Sequence, residues 1–200
     1  MLGLPKSTEL SKQLPKKAIY AKFQMNTNEK AKIDADISRI TIVNEVSAAK
    51  LNIAEGEQIK SFFVLMVSLK RKKFEEKSII AISKLIDQNL LLILEYENEA
   101  KLVVYHTKLM QTAWNRNEEL SVELKGLNMD VVWENIIVQI GGMQIEQGNT
   151  LDEQIAIDEK RAKLKKEIDK LEKQARAEKQ PKKKFELVQQ MDKLKKELEE

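Results

Sequence analysis

The chain has 200 residues, 42% of them hydrophobic, which suits one compact domain of about 100 to 150 residues plus an appendage rather than two full domains. It contains no cysteine and a single histidine, so a disulfide framework, a thiolate zinc site, a cysteine nucleophile and an imidazole cluster are excluded. Thirty-five basic against 32 acidic residues leave a net charge of +3, a mixed surface unlike the one-signed field of a dedicated nucleic-acid binder.

The first ten residues, MLGLPKSTEL, lack the charged start, apolar core and small-residue cleavage site of a secretory signal. The longest apolar run, SFFVLMVSL at 61–69, is about half of the roughly 20 residues that a membrane-spanning helix needs. The cytoplasm is therefore the expected compartment, with no membrane partner.

Two Leu-Pro-Lys units, beginning at Leu4 and Leu14, bracket the segment TELSKQL, where Ser7 is placed to cap one or two short turns. Asn26 and Glu29 form a capping pair that opens a helix carrying Ile33, Ile37 and Ile40 at helical spacing. A short β-branched strand, TIVNEVS, follows at 41–47, and a longer one at 59–69 is apolar on both parities, as a strand covered on both faces would be. EEKSIIAISKLIDQ reads as a helix through Ile79, Ile82 (or Ser83) and Ile86. LLLILEYENEAKLVVYHTKL reads as a β-hairpin turning at Glu97-Asn98-Glu99. From Trp114 to Leu124 the chain reads as irregular or as a short strand. Met129, Val132, Trp133, Ile136 and Ile140 then make an amphipathic helix stopped by Gly141-Gly142. The order α-β-β-α-β-β implies an α+β domain over 1–142, a mostly antiparallel sheet flanked by helices, with a polar linker at 143–149.

The tail, residues 150–200, opens on a second capping pair, Thr150 with Glu153, and a helical segment is expected to about Gln180. Residues 151–200 hold 15 bases and 13 acids, so the tail is highly charged but nearly balanced, unlike a nucleic-acid arm. Its apolar residues are sparse and ordered: Leu164, Ile168, Leu171 and Ala175 before Pro181, and Leu187, Met191, Leu194 and Leu198 after it, lie on a heptad seam. If the chain folds back about Pro181, residues equidistant from it meet: Ala175 with Leu187, Leu171 with Met191, Ile168 with Leu194, and Leu164 with Leu198. Each layer then joins an a position to a d position, as in an antiparallel coiled coil. Pro181 inside a continuous helix would cost about 3 kcal/mol, whereas as the first residue of a second helix it costs almost nothing. The tail therefore reads as an antiparallel helical hairpin turning at Pro181. The same mirror relation also pairs two chains, so a swapped homodimer stays open.

Candidate chemistry is thin. Lys179, Lys182, Lys183 and Lys184 gather at the hairpin tip, where they are candidate phosphate contacts or simply a solvated turn. Lys70-Arg71-Lys72-Lys73 reads as a polar loop. Glu123-Leu124-Lys125 has the E-x-K form of some nuclease cores, but its only candidate partner acids, Glu97 and Glu99, fall in an expected turn. His106, in the expected strand LVVYHTKL, has no nucleophile or acid motif beside it. Trp114 and Trp133 read as packing residues, and Asp87 alone is not a site. Glycine-rich phosphate loops are missing from a chain with six glycines. No catalytic, metal or cofactor site is expected.

LPKST (4–8), LPKKAIY (14–20), DISRITIVNEVS (36–47), IKSFFVLMVSLKRK, LIDQNLLLILEYENEAKLVVYHTK (85–108) and WENIIVQIGG (133–142), in this order, resemble the bacterial family called domain of unknown function 4391. The resemblance spans most of the chain and carries over no catalytic residue. It implies a setting beside helicases and DNA methyltransferases of restriction-modification or phage-defence loci. The function expected from residues and resemblance together is a non-enzymatic adaptor docking on such a complex, with the hairpin as its protein-contact arm. The alternative is a nucleic-acid-binding module or vestigial nuclease that uses the lysines of the tip.

Overall fold

Proline shapes the start of the fold. Leu14 precedes Pro15, whose ring disfavours the helical region for its neighbour, and TELSKQL is mostly a strand, β1 (Glu9–Leu14), rather than the short turns expected from Ser7. Helical backbone here is confined to a 3-10 turn, Lys6–Thr8, and Pro15 then leads into α1 (Lys16–Lys22). These elements belong to a computed structural model that describes residues 2–198 in full and the backbone of Glu199.

α2 (Thr27–Asp36) opens on the expected reciprocal cap: the Glu29 N–H donates to Asn26 Oδ1 at 3.0 Å and the Asn26 N–H to Glu29 Oε2 at 2.9 Å. The helix does not reach Ile40. Ile37 and Ile40 lie in β2 (Ile37–Ser47), and their three-residue spacing mimics a helix because the register slips between Ile37 and Arg39, which lets both face the same core. α3 (Ala48–Leu51), ended by Asn52 in the left-handed region, leads toward β3 (Ser61–Leu69). α4 (Glu76–Ser83) is shorter than its periodicity suggests and crosses over to β4 (Asn89–Tyr96). Glu97, at φ 55°, and Asn98 make a two-residue turn into β5 (Glu99–Tyr105). β6 (Leu109–Gln111) and β7 (Asn115–Arg116) pair with opposite ends of β5. α5 (Met129–Gly141) is capped by Asn128, which accepts the Val131 N–H at 3.0 Å, and ends at Gly142 with φ 60°.

The sheet order is β1-β2-β3-β4-β5-β6, antiparallel at every pair except the parallel β3–β4 join. Register aligns Ile42, Leu65, Leu92 and Val103 across four strands, and these pack with Ile19 of α1, Ile33 of α2, and Ile79 and Ile82 of α4. Alternation sends Phe62 to the opposite face, where its ring lies 5.0 Å from that of Trp133 on α5. The α+β class and the helix-flanked, mostly antiparallel sheet expected from the sequence are present.

The chain divides into two units, Met1–Met143 and Gln144–Glu200. The second consists of α6 (Leu151–Ala177), opened by the Thr150–Glu153 capping box, and α7 (Pro181–Glu199), which pack together as a hairpin. α6 stops at Ala177 rather than near Gln180, because Glu178 is already extended at ψ 127° and the turn takes residues 178–180. Among the described residues no helix is long and apolar enough to cross a membrane.

Candidate contact site

All eight seam residues lie within the two hairpin helices. Leu164, Ile168 and Ala175 are buried; Leu171, Leu187, Met191, Leu194 and Leu198 are half-buried. Lys160 Nζ pairs with Glu197 Oε1 at 3.1 Å between the helices, and Arg176 with Glu172 at 2.7 Å along α6. Both pairs are exposed, so each contributes at most about 1 kcal/mol.

Pro181 is the first residue of α7, where its missing N–H costs no hydrogen bond. Lys179, Lys182, Lys183 and Lys184 are exposed around it, and no acid occupies the first turn of α7. Cations at a helix start face the positive end of its dipole, an arrangement unfavourable by about 0.3–1 kcal/mol each. Residues 174–190 hold five of the chain's 35 basic residues and two of its 32 acids, so the remainder carries thirty of each and the whole net charge resides at the tip. Phe185, on the same turn, is 63% exposed. Burying such a ring would gain roughly 1.5–3 kcal/mol. A depression of about 550 Å³ lies between the helices, with Ala177 and Leu187 among its walls, flanked by Gln174, Gln190, Lys183 and the carboxylates Glu178 and Glu186; Phe185 is on the other side of α7. Sequence reasoning found the lysines and missed Phe185, because an aromatic two residues before a seam leucine reads as packing.

In the first unit Lys70, Arg71 and Lys72 of the basic run 70–73 are engaged within the fold. Arg71 grips the buried carboxylate of Asp36, Lys70 donates to the Asp34 carbonyl at 2.6 Å, and Lys72 pairs with Glu99 while lying 5.3 Å from the Trp114 ring. Trp114 and Phe74 also hold Lys101, which the sequence reading passed over. It faces the core with Val103 and is only 8% exposed, its ammonium 2.6 Å from Gln111 Oε1 and 4.9 and 5.1 Å from the two ring centres. Burial pushes this lysine below its ordinary pKa, against the pull of Glu76. The signal was a lysine at an inward strand position among apolar neighbours.

Glu123 and Lys125 pair with each other on the surface, outside any strand, and Gln139 ties the Glu123 backbone in both directions at 3.0 and 2.8 Å. Among the described residues no group of three or more His, Asp or Glu side chains could hold a metal ion. His106 lies in the turn between β5 and β6, its N–H bonded to the Lys108 carbonyl at 3.1 Å, rather than in the expected strand. Asp87 pairs with Lys22 at 2.7 Å, a bond that lowers its carboxyl pKa. Trp133 is buried, while Trp114 is half-buried among lysines. Asp130, in the first turn of α5, accepts the Glu57 and Ile59 N–H groups at 2.7 Å each, so the carboxylates of this unit act mainly as braces.

Compared with known proteins, residues 2–198 match the family described as Domain of unknown function (DUF4391). No curated protein and no solved structure matches the chain.

Proposed function

The chain belongs to this family over nearly its whole length, and we propose that it is a non-enzymatic cytoplasmic adaptor whose α+β unit docks on a larger protein while the hairpin serves as a second contact arm. The partner class is the helicase- or methyltransferase-containing complex of a restriction-modification-like defence locus, as the family resemblance implies. The observation that carries the arm is the tip, where an exposed aromatic ring and exposed cations lie within the first turn or so of α7. Contact surfaces concentrate aromatic side chains at their centres, with charged groups such as lysine at the rim. The purified chain is expected to co-elute with a helicase or methyltransferase encoded beside it, and to lose that partner when residues 150–200 are removed. Unchanged co-elution of the shortened chain overturns the arm.

The charge excess at the tip favours one second reading, direct nucleic-acid contact through Lys179, Lys182, Lys183 and Lys184. That reading requires salt-sensitive binding of DNA or RNA that weakens when the four lysines become alanine.

A further inference from the structure

Alternation along β3 puts Met66 on the same side of the sheet as Phe62, and register sets Ile93 of β4 beside it. A depression of about 490 Å³, the size of a small-molecule site, opens over this pair and reaches β1, with Leu2, Leu10 and Val43 also among its walls. Its polar groups are few, Glu9, Ser11 and Asn44, and among the described residues no lysine or arginine lines it. Glu9 and Asn44 are direct partners across β1 and β2, so a carboxylate and an amide stand side by side. The hydrogen bonds of Asn44 decide what it offers. The residue is 8% exposed, and its Nδ2 donates to Thr8 Oγ1 at 2.9 Å. The Thr8 hydroxyl gives its one proton to the Pro5 carbonyl at 2.7 Å, so toward Asn44 it can only accept. The amide is therefore oriented, and Oδ1 is left without a partner among the described residues. The Glu9 carboxylate likewise has no hydrogen bond or ion pair among them. Leu2 is held at φ 62°, a left-handed backbone that leucine rarely adopts, with the Val122 N–H on its carbonyl at 3.2 Å. Backbone strain of this kind gathers where a chain shapes a ligand site.

We propose that this depression binds a small aliphatic primary amine, its hydrocarbon body against Leu2, Met66 and Ile93 and its ammonium between the Glu9 carboxylate and Asn44 Oδ1. An ammonium has three N–H donors and no acceptor, the complement of two neighbouring acceptors. An anion meets Glu9 with like charge and finds no cation on the described walls to offset it. A hydrocarbon without a donor covers Asn44 Oδ1 and leaves it unsatisfied, which costs affinity. The Ser11 hydroxyl both donates and accepts and does not discriminate. All these residues belong to the first unit, so the site is independent of the contact-arm reading.

The test uses the full chain with isotope-labelled methionine methyl groups, read by nuclear magnetic resonance, the Met66 signal being identified by its loss in Met66→Leu. Three probes are titrated: octylamine, octyltrimethylammonium and octanoate. Octylamine is expected to move the Met66 signal. Octyltrimethylammonium keeps the charge but has no N–H to give Asn44, and octanoate brings a second carboxylate to Glu9; each is expected to bind about tenfold more weakly or worse. Glu9→Gln is expected to weaken octylamine about three- to fivefold, as for an ion pair open to water on one side. Glu9 is exposed, and far-ultraviolet circular dichroism confirms that the variant is folded. A Met66 signal that octylamine leaves unmoved, equal binding by either other probe, or unchanged octylamine binding in folded Glu9→Gln overturns the proposal. Because the signal reports on β3, none of these outcomes bears on whether the hairpin is a contact arm.

Discussion

The pairing of Asp36 with Arg71 is the sharpest test of how the first unit is held together. Asp36 ends α2 with its side chain 1% exposed, while that of Arg71, just after β3, is 59% exposed. One carboxylate oxygen takes two nitrogens of the guanidinium; the other accepts the Glu75 N–H at 2.9 Å, at the start of α4. One buried charge thus joins α2, the end of β3 and α4. An exposed ion pair is worth about 0–1 kcal/mol, while removing one partner of a buried pair costs about 3–5 kcal/mol. Arg71→Ala falls between these, because the cation is half in water and the Glu75 N–H remains, so a loss of about 2 kcal/mol is expected. That corresponds to a Tm lower by about 4–8 °C. Arg71→Lys should restore part of the loss, since an ammonium lacks the planar fork. Both tryptophans, Trp114 and Trp133, lie in the first unit, so urea unfolding followed by their fluorescence reports on it without the hairpin. A change under about 0.5 kcal/mol for Arg71→Ala would show that the bond behaves as a surface pair and would refute the reasoning.

Thr150→Ala removes the hydroxyl that accepts the Glu153 N–H at 3.3 Å and is expected to cost the hairpin about 1 kcal/mol, seen in circular dichroism with tryptophan fluorescence unmoved. Lys182→Glu places an acid at the start of α7 and should raise the thermal stability of the hairpin by about 0.5 kcal/mol; a fall refutes the dipole argument. Tyr20 is pushed up to about 12 by burial and by its hydrogen bond to the Asp34 carboxylate. Its folded value exceeds the unfolded one, so the stability it contributes is present below about pH 10 and is lost as pH rises toward 12. Spectrophotometric titration should find one tyrosine ionising near 12, moved down by Asp34→Asn. Lys16 and Tyr20 hold the Asp34 carboxyl below its ordinary value, so its contribution fades as pH falls through the acid range.

What could be read from the residues was what depends on local chemistry. The Asn26–Glu29 and Thr150–Glu153 boxes mark their helix starts because each cap is complete within four residues. The end of α2 escaped because a slip in β2, a property of strand pairing, turns Ile37 and Ile40 inward together. β1 escaped because it is largely exposed, so no apolar alternation announces it. The hairpin was legible because its seam repeats and Pro181 punctuates it. At the tip the lysines were visible as letters, whereas the exposure of Phe185 and the burial of Lys101 are outcomes of packing among residues far apart in sequence.

The parallel join has a consequence of its own. On either side of it lie three antiparallel strands, β1-β2-β3 and β4-β5-β6, each built from consecutive chain, and the β3–β4 ladder is the sheet's own join between them, reinforced by α4 and by contacts of α5 with Phe62 and residues 57–59. A backbone cut in the loop after Lys73 would yield two meanders, each ending in an open apolar edge, Phe62 to Val67 on one and Leu90 to Leu94 on the other. Such edges recruit further strands. Held together they quench each other, and the two fragments should reassemble by complementation when mixed or precipitate when kept apart.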